Sequence, residues 1–81
     1  MDNKTSIFNV QELRQELILL TLNEVIEALE FRGYNPTSQL VGYLTTGDEK
    51  YITTFNNSRR KLCRFDREEI MMAIINSYLG K

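Results

Sequence analysis

One stretch organises this sequence: Gly33-Tyr34-Asn35-Pro36-Thr37-Ser38-Gln39-Leu40-Val41-Gly42-Tyr43-Leu44-Thr45-Thr46-Gly47-Asp48. Gly33 is free to adopt a positive φ and is therefore predicted to end a first helix. Asn35 is then predicted to cap a second helix that starts at Pro36, where the missing N–H costs nothing. Gly47 is predicted to end this second helix, and Asp48 to cap the next one. The stretch therefore predicts a helix end, a turn, a short helix and a second turn.

Gly42 stands out inside the predicted second helix. A glycine at an interior helix position is about 1 kcal/mol less favourable than an alanine. Its presence there predicts that another backbone or a ring lies too close for a side chain. Leu40, Val41 and Leu44 are predicted to face inward from the same helix.

Upstream of this stretch the pattern predicts one long helix from residue 10 to about residue 31. Asn9 is its predicted N-cap, with Glu12 completing a capping box. Two lines of apolar side chains follow at helical spacing: Val10, Leu13, Leu17 and Leu20 form the first line, and Ile18, Leu22, Val25, Ile26 and Leu29 the second. Such a helix is about 33 Å long, whereas a compact chain of this size is only about 30 Å across. One line is therefore predicted to be left for a second subunit.

Downstream, three further helices are predicted. Their apolar positions are Tyr51, Ile52 and Phe55, then Leu62, Cys63 and Phe65, and last Ile70, Met71, Ile74, Ile75 and Tyr78. Asp66 and Glu69 form a capping box at the start of the last helix, and Gly80 closes it. We predict an all-α, compact five-helix domain over residues 9–81, with long first and last helices, three short helices between them, and a homodimer formed through the first and last helices. Residues 1–8 are predicted to be a flexible N-terminal tail.

The composition excludes several classes of protein. The chain has 81 residues, a net charge of −1, no histidine and one cysteine, which fits a single domain without an intrachain disulfide or a Cys/His metal site. We find no catalytic motif, so we expect no enzyme activity, no cofactor and no metal. No apolar run approaches the roughly 20 residues that cross a bilayer, and the first residues lack the apolar core of a signal peptide. We therefore expect a cytoplasmic protein that does not insert into the membrane.

A basic cluster is the sharpest polar feature, and it consists of Arg59, Arg60, Lys61, Arg64 and Arg67. The spacing places Arg60, Arg64 and Arg67 on one helix face. Three guanidinium groups on one face can hold a phosphate or an acidic segment. The alternative is a surface that complements the acidic first helix of the same subunit or of its mate. A third reading, a small helical nucleic-acid-binding module, is disfavoured by the near-neutral net charge.

Cys63 lies in the same basic segment. Neighbouring arginines would lower the pKa of its thiol and raise its reactivity. It also lies between Leu62 and Phe65, where a small apolar residue fits. We interpret Cys63 as a packing residue, with the reactive thiol as the alternative.

Many of these residues follow an ungapped pattern, G-Y-N-P-x-x-Q-x-V-G-Y-x-x-x-G-D-x-x-Y, followed by N-N-x-R and R-x-E-I. The matching residues are Gly33, Tyr34, Asn35, Pro36, Gln39, Val41, Gly42, Tyr43, Gly47, Asp48 and Tyr51, then Asn56, Asn57, Arg59, Arg67, Glu69, Ile70, Tyr78 and Leu79. Over residues 25 to 79 the sequence resembles the IreB/ReoM family of small regulatory phosphoproteins of Gram-positive bacteria.

The resemblance implies a cytoplasmic, all-helical homodimer without catalytic activity. It implies that a membrane Ser/Thr kinase that senses the cell wall phosphorylates the chain, and that a partner phosphatase reverses this. The role implied is in cell-wall homeostasis and antibiotic tolerance, in some members through Clp-protease turnover of an enzyme of peptidoglycan precursor synthesis.

The resemblance also assigns roles to residues. Thr5 in the N-terminal tail is the implied phosphoacceptor by position, with Ser6 as the alternative. The arginines Arg59, Arg60, Arg64 and Arg67 are implied to contact protein partners, and no nucleic acid is expected. The residues from Gly33 to Asp48 are expected to act as scaffold.

Overall fold

The computed structural model describes residues 3–81 of the chain, and the side chains from residue 10 onward. It contains four α-helices, α1 (Asn3–Phe31), α2 (Pro36–Thr46), α3 (Ser58–Cys63) and α4 (Arg67–Leu79). Two single-turn 3-10 helices, Glu49–Tyr51 and Phe55–Asn57, lie between α2 and α3. Residues 3–81 include no strand, so the all-α prediction is confirmed for this part of the chain.

The predicted count of five helices is not confirmed. The third predicted helix is reduced to the 3-10 turn Glu49–Tyr51, because the backbone is already extended at Ile52 (φ −104°, ψ 125°). The predicted N-cap at Asn9 is wrong, because α1 runs through this residue and begins at Asn3. The side chains of residues 1–9 lie outside the described part, and the flexible tail over residues 1–8 stays a prediction.

The turn between α1 and α2 forms as predicted. Gly33 has a φ of 85°, and the Tyr34 N–H donates to the Leu29 carbonyl at 2.9 Å, which is the bond that closes a Schellman motif. The Asn35 side chain accepts from the Ser38 N–H at 3.0 Å and caps α2, whose first residue is a proline. Both ends of this turn therefore satisfy backbone groups that the helices leave unpaired.

The second turn of the central stretch also follows the prediction. Gly47 has a φ of 80° and donates its N–H to the Tyr43 carbonyl. The Asp48 side chain accepts from the Lys50 N–H at 3.0 Å, as an N-cap does. These bonds fix the direction in which the chain leaves α2.

The core forms between the second apolar line of α1 and the remaining helices. Its buried members are Ile18, Leu22, Val25, Leu29, Tyr43, Ile52, Leu62, Phe65, Ile70 and Ala73. The first apolar line, Val10, Leu13, Leu17 and Leu20, stays exposed on the chain. One line of the α1 face is thus uncovered, as predicted.

Gly42 faces the ring of Tyr51. A Cβ built on this glycine would lie 2.6 Å from the Tyr51 Cδ1 atom, far inside van der Waals distance. The Gln39 side chain donates to the Tyr51 carbonyl at 2.9 Å, which holds the backbone of this tyrosine against α2. The prediction that another group approaches Gly42 closely is therefore confirmed, and the group is a ring.

Substituting Gly42→Ala is expected to lower the free energy of unfolding by about 1–2 kcal/mol, because the cost of overpacking exceeds the gain in helix propensity. In a Tyr51→Ala background the same substitution should instead stabilise the domain by about 1 kcal/mol. Urea unfolding of the wild type, the two single variants and the double variant, followed by circular dichroism, measures both values. The same sign in both backgrounds would show that the ring is not what requires a glycine.

Candidate arginine-lined docking groove

A groove of about 510 Å³ lies between the segment Glu49–Asn57 and α3. We call it the arginine groove, and its lining consists of Glu49, Thr54, Asn57, Arg59, Arg60, Cys63 and Arg64. It brings together three of the four arginines that the sequence singled out. The three guanidinium groups outnumber the one carboxylate, so the groove is suited to an anionic group.

Arg67 does not belong to this groove. The prediction that Arg60, Arg64 and Arg67 share one helix face is wrong, because α3 ends at Cys63 and Arg67 opens α4. Between the two helices Asp66 is extended (φ −68°, ψ 144°), which breaks the helical phase that the spacing argument assumed.

Arg67 instead stabilises the end of α2. Its Nη1 donates to the Leu44 carbonyl at 3.1 Å, one of the carbonyls that the end of a helix leaves free. Its guanidinium lies so close to Gly47 that a Cβ there would be 3.0 Å from Cζ. Arg67 therefore links α4 to the central stretch, a role that the sequence analysis missed.

Arg59 is also tied down within the chain. Its Nε donates to the Ile52 carbonyl at 2.9 Å, and its backbone N–H donates to the Thr53 carbonyl at 3.0 Å. The side chain is half-buried. Arg59 thus fixes one wall of the groove while its remaining N–H groups line it.

Arg60 and Arg64 are the exposed cations of the groove. Among the side chains of residues 10–81, ion pairs form between Arg14 and Glu69 and between Lys61 and Glu24, and neither involves these two arginines. The Arg64 guanidinium lies 5.1 Å from the centre of the Phe65 ring, a cation–π contact that orients it. The donors of Arg60 and Arg64 are therefore available to an anionic partner.

Cys63 and Tyr43 form an uncharged pair beside these arginines. Burial raises the pKa of the Cys63 thiol, and its hydrogen bond with Tyr43 lowers it by less. Burial and the same hydrogen bond raise the pKa of Tyr43 to about 12. Both groups are neutral near pH 7, which supports the interpretation of Cys63 as a packing residue rather than a reactive thiol.

The predicted phosphoacceptor lies near the start of α1, whereas the arginine groove is formed by other segments of the chain. Thr5 and Ser6 fall within the helical range Asn3–Phe31, while their side chains lie outside the described part. Glu24 pairs with Lys61 at 3.2 Å and so marks where α3 meets α1. Thr5 precedes Glu24 by nineteen residues, which corresponds to about 28 Å along a helix. Thr5 and the contact between Lys61 and α1 are therefore far apart along this helix.

The described residues hold no group of three or more His, Cys, Asp or Glu side chains that could bind a metal ion. Within the same part of the chain, no helix has both the length and the apolar character needed to cross a membrane. A family model described as "IreB regulatory phosphoprotein" matches residues 3–80. The match covers the central stretch and the whole arginine groove, and it confirms the family resemblance that the sequence motif indicated.

Proposed function

The chain belongs to the IreB family of regulatory phosphoproteins, and on this basis we propose that it is a non-enzymatic cytoplasmic regulator of the cell wall. In this proposal a membrane Ser/Thr kinase phosphorylates it and a partner phosphatase removes the phosphate. The regulator then controls cell-wall homeostasis and antibiotic tolerance by contacting protein partners, with an output through Clp-dependent turnover of an enzyme of peptidoglycan precursor synthesis.

One observation carries the proposed mode of action: Arg60 and Arg64 are exposed in one groove without a carboxylate partner among the described side chains. Charge-assisted hydrogen bonds from guanidinium groups are among the strongest polar contacts between proteins. We propose that an acidic segment of a partner protein docks in the arginine groove. The neighbouring Arg59 holds the backbone at Ile52 beside the groove, whereas Arg67 stabilises the end of α2.

The position of Thr5 near the start of α1 restricts how phosphorylation acts. While α1 stays helical, a phosphate on Thr5 is about 28 Å along the helix from the level of Glu24, where α3 contacts α1. We therefore propose that the phosphate acts in trans, on a second subunit or on a bound partner. Its added charge of about −1.5 to −2 then competes with the acidic segment or creates a new docking site.

Homodimer formation is part of the proposal. α4 exposes an apolar outer face that consists of Met71, Ile74, Ile75 and Tyr78, and α1 exposes its first apolar line. Exposed apolar patches of this kind are typical of protein–protein interfaces. We propose that two chains pair through these faces of α1 and α4.

Incubation with the membrane Ser/Thr kinase of the same organism should place phosphate on Thr5, as detected by mass spectrometry of the intact chain and its peptides. The Thr5→Ala variant should lose the incorporated phosphate, because it removes the acceptor hydroxyl. The Thr54→Ala variant, which alters an exposed threonine of the arginine groove, should be phosphorylated like the wild type. Phosphate found only at residues other than Thr5 and Ser6 would contradict the proposed switch.

Arg60→Ala and Arg64→Ala should each weaken binding of a partner protein recovered with the unmodified chain by roughly ten- to hundredfold, since each removes a charge-assisted hydrogen bond of about 1.5–3 kcal/mol. Calorimetry measures the affinities, with Lys50→Ala as a control for loss of an exposed cation outside the groove. Unchanged affinity in both arginine variants would refute docking in the groove. Sub-micromolar, steeply salt-dependent binding of duplex DNA would instead support a nucleic-acid-binding role.

A further inference from the structure

A second surface lies where the end of α1 meets the start of α3. We call it the aromatic notch, and its lining consists of Glu24, Glu27, Ala28, Phe31, Phe55, Asn56 and Lys61. Its volume is about 390 Å³. It shares no lining residue with the arginine groove, and the proposed function gives it no role.

Two phenylalanine rings stack on each other in this notch instead of entering the core. Their centroids are 5.0 Å apart and their planes differ by 17°. Phe31 is 74% exposed and Phe55 is 38% exposed. Rings that stay partly in water forgo some of the stabilisation that full burial of such a side chain gives. The pair is therefore an apolar surface that a bound partner would cover favourably.

The turn after Phe55 holds this ring in position. Asn56 and Asn57 both have a φ of 60°, a left-handed conformation that costs non-glycine residues free energy. The two residues reverse the chain directly before α3, so that Phe55 meets Phe31 on α1. The left-handed turn thus lies directly after the ring that stacks on Phe31.

The charged groups around the rings indicate what kind of partner fits. The Arg32 guanidinium lies 5.7 Å from the centre of the Phe55 ring, and Lys61 pairs with Glu24. The ring of Phe55 and the carboxylate of Glu24 are thus already in contact with cations of the chain itself. Glu27 is exposed and takes part in neither ion pair formed by the side chains of residues 10–81. A carboxylate and the exposed ring of Phe31 therefore remain for a further cation.

We propose that the aromatic notch binds an arginine-bearing segment of a partner protein. The guanidinium group of the partner's arginine stacks on Phe31 and pairs with Glu27, while the methylene groups of the same side chain cover the exposed rings. The notch accepts a cationic segment, whereas the arginine groove accepts an anionic one. The chain can therefore hold two partners of opposite charge at once.

The test uses the full chain and a fluorescein-labelled peptide that carries four arginines separated by glycine and serine. A second peptide replaces each arginine with citrulline, which keeps the shape and removes the charge. Fluorescence anisotropy should show that the arginine peptide binds at least fivefold more tightly than the citrulline peptide. Amide chemical-shift changes should be centred on residues 24–31 and 55–56.

Variants of the notch separate this site from general attraction to acidic helix α1. Phe31→Ala and Glu27→Gln should each weaken binding of the arginine peptide at least fivefold. Glu12→Gln removes the same charge from another exposed position of α1 and should change the affinity less than twofold. Both notch positions are exposed, so circular dichroism should show that the variants stay folded.

Three results would overturn the proposal. One is the absence of binding by the arginine peptide at millimolar concentration. Another is an equal loss of affinity in Glu12→Gln and Glu27→Gln, which would show attraction to the acidic helix as a whole. The third is a change in the light-scattering mass of the chain caused by Phe31→Ala, which would show that a second copy covers the notch.

Discussion

Replacing Leu62 with alanine should lower the free energy of unfolding by about 2–5 kcal/mol, the range for deleting a buried leucine side chain. Leu62 is 0% exposed and belongs to the core cluster with Leu29, Ile52 and Ile70. It lies on α3, which has only six residues and cannot be stable without tertiary contacts. The loss is therefore expected to affect the whole arginine groove, whose arginines are on or next to this helix.

The size of this effect follows from the length of the chain. A domain of this size has a total stability of about 4–12 kcal/mol, so one cavity at Leu62 removes a large fraction of it. Urea unfolding at fixed protein concentration measures the change, because association alters apparent stability. Leu79→Ala, which truncates a 56% exposed leucine, is the matched control and should lose less than about 0.5 kcal/mol. Equal losses in the two variants would contradict the assignment of Leu62 to the core.

Replacing Ile75 with aspartate should convert the proposed homodimer into a monomer. Ile75 is on the exposed apolar face of α4, and a C2 interface that includes it would bury two new carboxylates. Burying charges without partners costs several kcal/mol, which corresponds to a dissociation constant raised at least a hundredfold. Light scattering at micromolar concentration should then give the mass of one chain, 9.5 kDa.

Asn23→Asp provides the control for this dimer experiment. It adds the same charge at an exposed polar position of α1, outside the first apolar line, and should leave the mass of the dimer unchanged. A wild-type chain that is already a monomer at this concentration would refute the dimer itself. A dimer that survives Ile75→Asp would place the interface elsewhere, with the first apolar line of α1 as the next face to test.

The parts of the fold that could be predicted depend on interactions close in sequence. The caps at Gly33, Asn35 and Asp48 form within five residues of chain, so the residue type and its neighbours determine them. The close contact at Gly42 could be predicted because a residue that is unfavourable inside a helix indicates that a neighbouring group leaves no room for a side chain. That the cause is the ring of Tyr51 depends on how the chain folds back, which local sequence does not specify.

The arginines show where this reasoning fails. The partner of Arg67, the Leu44 carbonyl, is 23 residues away in sequence, so its helix-capping role leaves no local signal. The prediction that Arg60, Arg64 and Arg67 share one face is wrong although the sequence contains a signal against it. The capping box at Asp66 and Glu69 requires a non-helical residue between Arg64 and Arg67, and this residue breaks the periodicity.

The length of α1 also determines how a multivalent partner can use this protein. A helix is a stiff spacer, so the residue-5 end of α1 stays about 28 Å from the level of Glu24, where α3 contacts α1. When a partner has two binding modules, binding of the first raises the effective concentration of the second only if the linker between them spans that distance. With a shorter linker the two modules cannot bind at once. In the proposed homodimer every surface would occur twice, with a second fixed spacing between the two copies. Valency and linker length, and not only the affinity of each contact, therefore determine which proteins this regulator can select.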